Sequence, residues 1–281
     1  MGRAVAPILT AATGSTKRHR ICFGWYGGKY SHLGWLLPLL PDAHHYCEPF
    51  GGSAAVLLNR APAPVETYND IDGDVVTFFR VLREQGEALV DALRLTPFSR
   101  QEFYEAVRAD GGQVDALERA RQFFVRARQV RTGLAQTASL GRWANCKQTS
   151  RSDMAGAVSR WWNSVEGLTE VIERLRRVQI ENRQAVDVIQ LYDDGDTLFY
   201  CDPPYPHESR KDSKAYRYEM ADDEHVRLAE LLNGIAGKAA VSGYRCRLMD
   251  RLYAGWRRVD APTKNCHSSK KPRTEALWIN Y

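Results

Sequence analysis

The chain has 281 residues, of which 44% are hydrophobic and 26% charged, with a formal charge of +5; these ordinary values exclude a low-complexity or disordered polymer. The length suits one large α/β domain with an insertion, or two domains, and no run of about 18 apolar residues predicts a membrane helix. The 6 cysteines include no C-x-x-C pair, which fits free thiols in a reducing cytoplasm rather than a zinc site or a secreted disulfide framework.

Residues 1–20 read as a mobile tail, because Lys17-Arg18-His19-Arg20 puts the charge at the wrong end for a secretory signal. In Trp25-Tyr26-Gly27-Gly28-Lys29 the paired glycines allow close backbone approach to a ligand, and the aromatics and lysine offer stacking surface and a cation; alone, the segment is equally a generic turn. Ser31 to Leu40 predicts a short helix stopped by Pro38 and Pro41. His44 to Phe50 predicts the first strand, and Gly51-Gly52-Ser53 a tight turn into a helix through Leu58, with amides free for a ligand. The third glycine of G-x-G-x-x-G is missing, which argues against a Rossmann oxidoreductase. Val65 to Tyr68 predicts a second strand ending in Asn69-Asp70. An acid about 20 residues past a glycine turn is placed for ribose hydroxyls, so Asp70 is the candidate, with Asp72 as a helix cap.

Helical spacing continues through Val75, Val76, Phe79, Leu82, Leu89, Val90 and Leu93; Pro97 breaks it, and Ser99-x-x-Glu102 is a capping box. Residues 86–176 interrupt the strand-helix rhythm as a mostly helical insertion. Within it, residues 119 to 151 hold Arg119, Arg121, Arg126, Arg128, Arg131, Arg142, Lys147 and Arg151 without an Asp or Glu, so an external anion such as duplex phosphate, or plain solvent, is the expected partner. Trp161 and the apolar positions to Leu175 predict a core-facing helix, and Val178 to Ala185 a third strand followed by Asp187.

Thr197 to Cys201 is an apolar strand that must stop at Asp202-Pro203-Pro204-Tyr205, since proline cannot donate to a ladder. The turn therefore stands at a carboxyl strand edge, where open α/β sheets bind ligands. One carboxylate, rigid carbonyls and an aromatic face suit the exocyclic amine of a nucleobase, with its hydrogens on Asp202 and the Pro203 carbonyl and its ring on Tyr205. Pro206 to Met220 predicts a mobile loop, Asp222 to Gly234 a helix, and Lys238 to Tyr244 a strand. Trp256 to Ala261 and Glu275 to Tyr281 predict a terminal pair. The basic loop between them carries Lys270, Lys271 and Arg273 toward phosphate; its Cys266-His267 pair is insufficient for a metal.

The segments Trp25 to Lys29, Glu48-Pro49-Phe50-Gly51-Gly52-Ser53, Asn69-Asp70, Asp202 to Tyr205 and Arg273 to Asn280, in this order, resemble the Dam-type DNA adenine-N6 methyltransferases, and the chain is similar to phage or prophage members. The resemblance implies a Rossmann-like S-adenosylmethionine-dependent methyltransferase fold, a mixed seven-stranded sheet formed by residues 21–85 and 177–281, with residues 86–176 as a helical target-recognition domain for double-stranded DNA. It further implies that Trp25, Gly27, Gly28, Lys29, Glu48, Phe50, Gly51, Gly52, Ser53 and Asp70 surround S-adenosylmethionine, without a metal or an obligate protein partner. Asp187 would stand by the cofactor's adenine, with a helix cap as its alternative role. Val241-Ser242-Gly243 departs from the family's Ser-Asn, and the recognition sequence does not carry over. Cytosine-N4 methylation, an RNA substrate and a catalytically silent DNA-binding relative are the competing readings.

Overall fold

The computed structural model describes residues 20–109, 112–210, 216–262 and 274–281. The expected tail, most of the basic loop with Lys270, Lys271 and Arg273, and the pair Cys266-His267 lie outside the described residues. The chain runs through α1 (Leu33–Leu36), β1 (His45–Glu48), β2 (Val65–Asn69), α2 (Gly73–Glu84), α3 (Gly86–Leu95), α4 (Arg100–Arg108) and α5 (Ala116–Gln129). The two-residue strands β3 (Ser150–Arg151) and β4 (Met154–Ala155) precede α6 (Gly156–Glu166), α7 (Leu168–Leu175), β5 (Val178–Glu181) and α8 (Ala185–Tyr192). Then follow β6 (Thr197–Cys201), α9 (Asp222–Gly234), β7 (Lys238–Tyr244), α10 (Arg247–Leu252), β8 (Arg257–Asp260) and β9 (Glu275–Ile279). Among the described residues, no helix is long and apolar enough to cross a membrane.

The main sheet has 7 strands in the order β5-β2-β1-β6-β7-β9-β8. Strands β5 to β7 pair in parallel, and β9 runs antiparallel to both neighbours. Helices cover both faces, so β6 is buried along its whole length and reads as an unbroken apolar run. Its side chains alternate between two cores: Leu198 and Tyr200 enter one, Phe199 and Cys201 the other. Strand order reverses between β1 and β6, which creates a crevice at their carboxyl ends. The register Cys47↔Phe199 brings the ends of these strands to the same level, so the turns after Glu48 and Cys201 share that edge.

The helical segment, expected as a separate unit, has no core of its own. Phe124 and Trp161 belong to the same buried cluster as Phe23, Phe78 and the sheet residue Leu198. The rings of Phe78 and Phe124 stack at 5.6 Å with an interplanar angle of 9°, joining α2 to α5. Arg174 on α7 donates to Glu66 on β2 at 2.6 Å, and both are buried. The segment packs on α2 through α3, α5 and α7, and Arg174 ties it to the sheet directly.

Three local expectations are corrected. Residues 54–58 form successive turns rather than a helix: Ala54 takes φ +54°, and the Asn59 side chain caps the Ala55 carbonyl at 2.7 Å just ahead of Pro62 and Pro64. The helical periodicity from Val75 to Leu93 is split at Gln85, whose φ of −133° separates α2 from α3. The third strand ends at Glu181 instead of Ala185, because Asn69 clasps the backbone of Arg183 from both sides, at 2.9 and 3.1 Å, and turns the chain away. The capping box holds at its first member, since Ser99 Oγ accepts from the Glu102 amide at 3.1 Å.

Candidate active site

A cavity of about 670 Å³ lies over the carboxyl ends of β1, β2 and β6. Its walls include Trp25, Gly28 and Lys29 from the first loop, and Glu48, Phe50, Gly51, Gly52 and Ser53 from the turn after β1. Asp70, at the end of β2, and Asp202 and Pro204, after β6, complete that set. Residues 216–220, within the segment expected to be mobile, form another wall.

The glycine bend is dictated by its neighbours. A side chain on Gly51 would collide with the Tyr68 ring, and a Cβ on Gly52, which sits at φ +49°, would come 2.6 Å from the Trp25 indole. Asp70 holds the bend by accepting from the amides of Gly52 and Asp72, both at 2.8 Å. Burial raises its pKa to about 6 despite these amides, and each oxygen retains acceptor capacity for a ligand donor. Asp72 caps α2 through the Asp74 amide at 3.0 Å and also borders the cavity. Glu48 is buried and accepts from Tyr46 at 2.7 Å; burial pushes its pKa to about 8, so it is poised to gain charge beside a cationic ligand group.

Lys29 is only 3% exposed, and its Nζ lies 2.7 Å from both oxygens of Asp202 and 3.4 Å from Glu275. Burial works against the ammonium, but Asp202 and Glu275 outweigh it and hold the Lys29 pKa above its ordinary value. Burial raises Asp202 in turn, opposed by Lys29. Two carboxylates thus share one cation, which leaves an excess negative charge beside the cavity. Ser242 Oγ donates to Asp202 at 2.9 Å and meets the Tyr200 hydroxyl at 3.0 Å, fixing the carboxylate from below. The His225 ring hydrogen-bonds the Pro204 carbonyl, and burial lowers its pKa to about 4, keeping it neutral.

Other expected residues fall elsewhere. Tyr205 does not offer its ring to the cavity: it is 3% exposed, donates its hydroxyl to Glu275 and packs edge-on against Tyr244 at 4.9 Å. Burying a phenol requires such a partner. Pro203 is also buried behind the wall. Gly27, at φ +74°, positions rather than lines, its carbonyl accepting from Lys29 at 2.6 Å. Asp187 is exposed in the first turn of α8, and Arg183 to Val186 border the cavity in its place, as the early end of β5 requires.

Three of the basic residues of the acid-free stretch, Arg119, Arg121 and Arg126, are salt-bridged after all, to acids that lie just before the stretch or on other elements. Arg126 is 5% exposed and donates to Asp74 at 3.0 Å, Arg119 reaches the same carboxylate at 2.6 Å, and Arg121 pairs with Glu118 and Glu102. Arg126 is therefore removed from the expected DNA contacts. Arg128 turns inward to Ser164 and the Arg160 carbonyl, where burial lowers its pKa to about 10, and it is removed as well. Arg131, Arg142 and Lys147 are exposed on the loop after α5, where the Arg131 amide donates to the Arg142 carbonyl at 2.7 Å.

Ser242 and Glu275 were not singled out from sequence. A signal existed for Glu275, an acid opening a wholly buried strand that must find a partner. For Ser242 the signal was its place in Val241-Ser242-Gly243, where the family resemblance has Ser-Asn, but its bond to Asp202 depends on β7 lying beside β6. Gln136 and Tyr216, also on the wall, come from distant loops.

Comparison with known proteins agrees with this arrangement. The chain is 25% identical to the type II methyltransferase M.MjaIII of Methanocaldococcus jannaschii over 92% of its length and 97% of that protein. It is also 25% identical to a DNA adenine methylase of Vibrio cholerae serotype O1, over 67% of the chain and 66% of the relative. The family described as D12 class N6 adenine-specific DNA methyltransferase matches residues 25–268, which include the Lys29 loop, the glycine bend and Asp202. With this match spanning most of its length, the chain belongs to the D12 class of N6 adenine-specific DNA methyltransferases.

Proposed function

We propose that the chain transfers the methyl group of S-adenosylmethionine to the N6 amine of an adenine everted from double-stranded DNA, and does so in the cytoplasm. The observation that carries this reading is the shared cavity: Asp202 and the glycine bend come from adjacent strand ends and face one space. Its volume of about 670 Å³ is that of a cofactor site. The donor set suits the cofactor: the close-packed bend leaves room for its chain, Asp70 can accept from a ribose, and Glu48 can accept from an ammonium group. When bound, S-adenosylmethionine supplies an electrophilic methyl group.

The protein's part is to prepare the nucleophile. Adenine's amine is weak because its lone pair is shared with the ring. Hydrogen bonding of the amine to Asp202 favours a pyramidal nitrogen, which would free that pair to bond the methyl carbon while the carbon–sulfur bond breaks and its electron pair stays on the departing sulfur of S-adenosylhomocysteine. Asp202 has room for this contact, since a carboxylate offers about four acceptor sites. The net negative charge of Lys29, Asp202 and Glu275 stabilises the positive charge that develops on nitrogen, and the surplus N–H proton then leaves toward Asp202. Positioning the two reactants supplies much of the remaining acceleration.

Eversion costs a few kcal/mol, and stacking on an aromatic returns about 1–3 kcal/mol. With Tyr205 covered, Tyr216 and Tyr26, in edge contact at 5.0 Å and both on the wall, are the candidate surfaces. Arg131, Arg142 and Lys147 contact phosphate in this reading, which makes the helical segment the target-recognition element. The test is transfer of a labelled methyl group to duplex DNA by the Asp202→Ala variant. Activity is expected to fall at least ~100-fold, with S-adenosylhomocysteine affinity within a few fold of wild type; retained turnover refutes the assignment.

A further inference from the structure

Gln136 is the only residue among the described part of the helical segment that borders the cavity. Its amide nitrogen and oxygen are both shielded from solvent, and neither has a hydrogen-bond partner among the described residues. An unpaired buried amide is destabilising, so a side chain kept this way beside a cavity calls for a ligand that supplies both a donor and an acceptor.

The neighbouring groups say which ligand. Gln136 also borders a smaller adjoining space of about 230 Å³, whose other polar and aromatic walls include Trp25, Asp72, Asp74, Arg126, Tyr216 and Arg217. Trp25 packs on Gly52, and Asp72 follows Asp70; Asp202, Pro204 and Tyr200 do not line this space. Trp25 and Asp72 thus put Gln136 beside the glycine bend, in a space that the carboxylate receiving the target amine does not line. A ribose diol, or the ammonium and carboxylate of an amino acid, offers the paired donor and acceptor that its amide lacks.

The backbone around Gln136 is tied at both ends. Leu134 forms a parallel bridge with Gly24, next to Trp25, and a Cβ on Gly24 would come within 2.5 Å of the Gly133 carbonyl. Val130 bridges Trp143, between the exposed Arg131 and Arg142. One loop therefore connects the cofactor side of the cavity to the exposed cations.

We propose that Gln136 hydrogen-bonds the S-adenosyl cofactor and through this loop couples cofactor occupancy to DNA affinity; the inference rests on the methyltransferase reading above. Linkage makes the coupling reciprocal: the factor by which cofactor tightens DNA equals that by which DNA tightens cofactor.

The test measures S-adenosylhomocysteine binding by calorimetry and duplex DNA binding by fluorescence anisotropy, with and without saturating S-adenosylhomocysteine. Wild type is compared with Gln136→Ala and with Gln136→Met, which keeps the length of the side chain and guards against a packing defect. Both variants are expected to bind S-adenosylhomocysteine roughly tenfold more weakly. Their DNA affinity without cofactor should match wild type, while the enhancement seen with wild type on adding S-adenosylhomocysteine should vanish. Cofactor affinity within twofold of wild type, or no enhancement in wild type, overturns the inference alone. Failure of wild type to bind either ligand overturns the methyltransferase reading with it.

Discussion

Replacing Lys29 by methionine, which keeps the stem and deletes the charge, tests the arrangement at its most demanding point. The ammonium lies 2.7 Å from Asp202 and 3.4 Å from Glu275, and the three side chains are 3%, 18% and 6% exposed. At an effective dielectric of ~20, the attractions to Asp202 and Glu275 are about 6 and about 5 kcal/mol before desolvation, and removing one member of a buried pair typically costs about 3–5 kcal/mol. Lys29→Met is therefore expected to lose about 3–5 kcal/mol of folding stability at pH 8. The defect should depend on pH. Burial already raises the Asp202 pKa against the opposition of Lys29, and deleting Lys29 raises it further. A carboxylate whose folded pKa exceeds its unfolded value binds more protons when folded, so the variant loses stability as pH climbs through the window between those values and regains it below. Urea unfolding followed by tryptophan fluorescence at pH 8 and pH 5.5 measures both effects. The deficit should shrink by at least ~1 kcal/mol at the lower pH, and adding Glu275→Gln should recover part of it. A deficit under ~1 kcal/mol at pH 8, or one identical at the two pH values, refutes the shared-cation description.

Ser242→Ala removes the donor that fixes Asp202 while leaving the cavity walls intact. A hydrogen bond to a charged group contributes about 1.5–3 kcal/mol, so kcat should fall roughly 10- to 100-fold with cofactor affinity unchanged, and steady-state kinetics with unaltered kcat contradicts it. The arginines divide into two groups. Arg126→Ala, which removes one of the three guanidinium partners of the buried Asp74 and leaves Arg119 and Arg217 in place, should cost about 1.5–3 kcal/mol in a denaturant melt, as for a hydrogen bond to a charged group. Replacing Arg131, Arg142 and Lys147 together should leave the melt in place and flatten the salt dependence of DNA binding; an unchanged slope removes that loop from the interface.

The parts of the site legible in the sequence are those whose chemistry is local. Proline after Cys201 ends a strand wherever it occurs, and a glycine pair after an apolar run bends the chain, so Asp202 and Gly51 could be placed at strand ends without coordinates. Asp72 as a helix cap is equally local. The errors arise where the partner is remote in sequence. Arg119 and Arg126 read as unpaired because their acceptor, Asp74, is some 50 residues earlier, on α2. Tyr205 looked like a stacking surface because nothing nearby in the chain foretells Glu275 and Tyr244 closing over it. Asp187 was misplaced by an overlong strand, which is shortened by the amide of Asn69 on the neighbouring strand.

The aromatic layer joining α2, α5 and α6 bears on how target preference can change hands among relatives. A stretch of chain that shares the catalytic body's own core through α2 cannot be traded as a cartridge. Grafting residues 86–176 from another enzyme would pull Phe124 and Trp161 away from Phe78 and deprive Asp74 of two of its guanidinium partners. Recombination confined to the turns between 130 and 149 leaves that shared core in place, and under the proposed reading this is where chimeras with altered recognition and intact folding are to be sought.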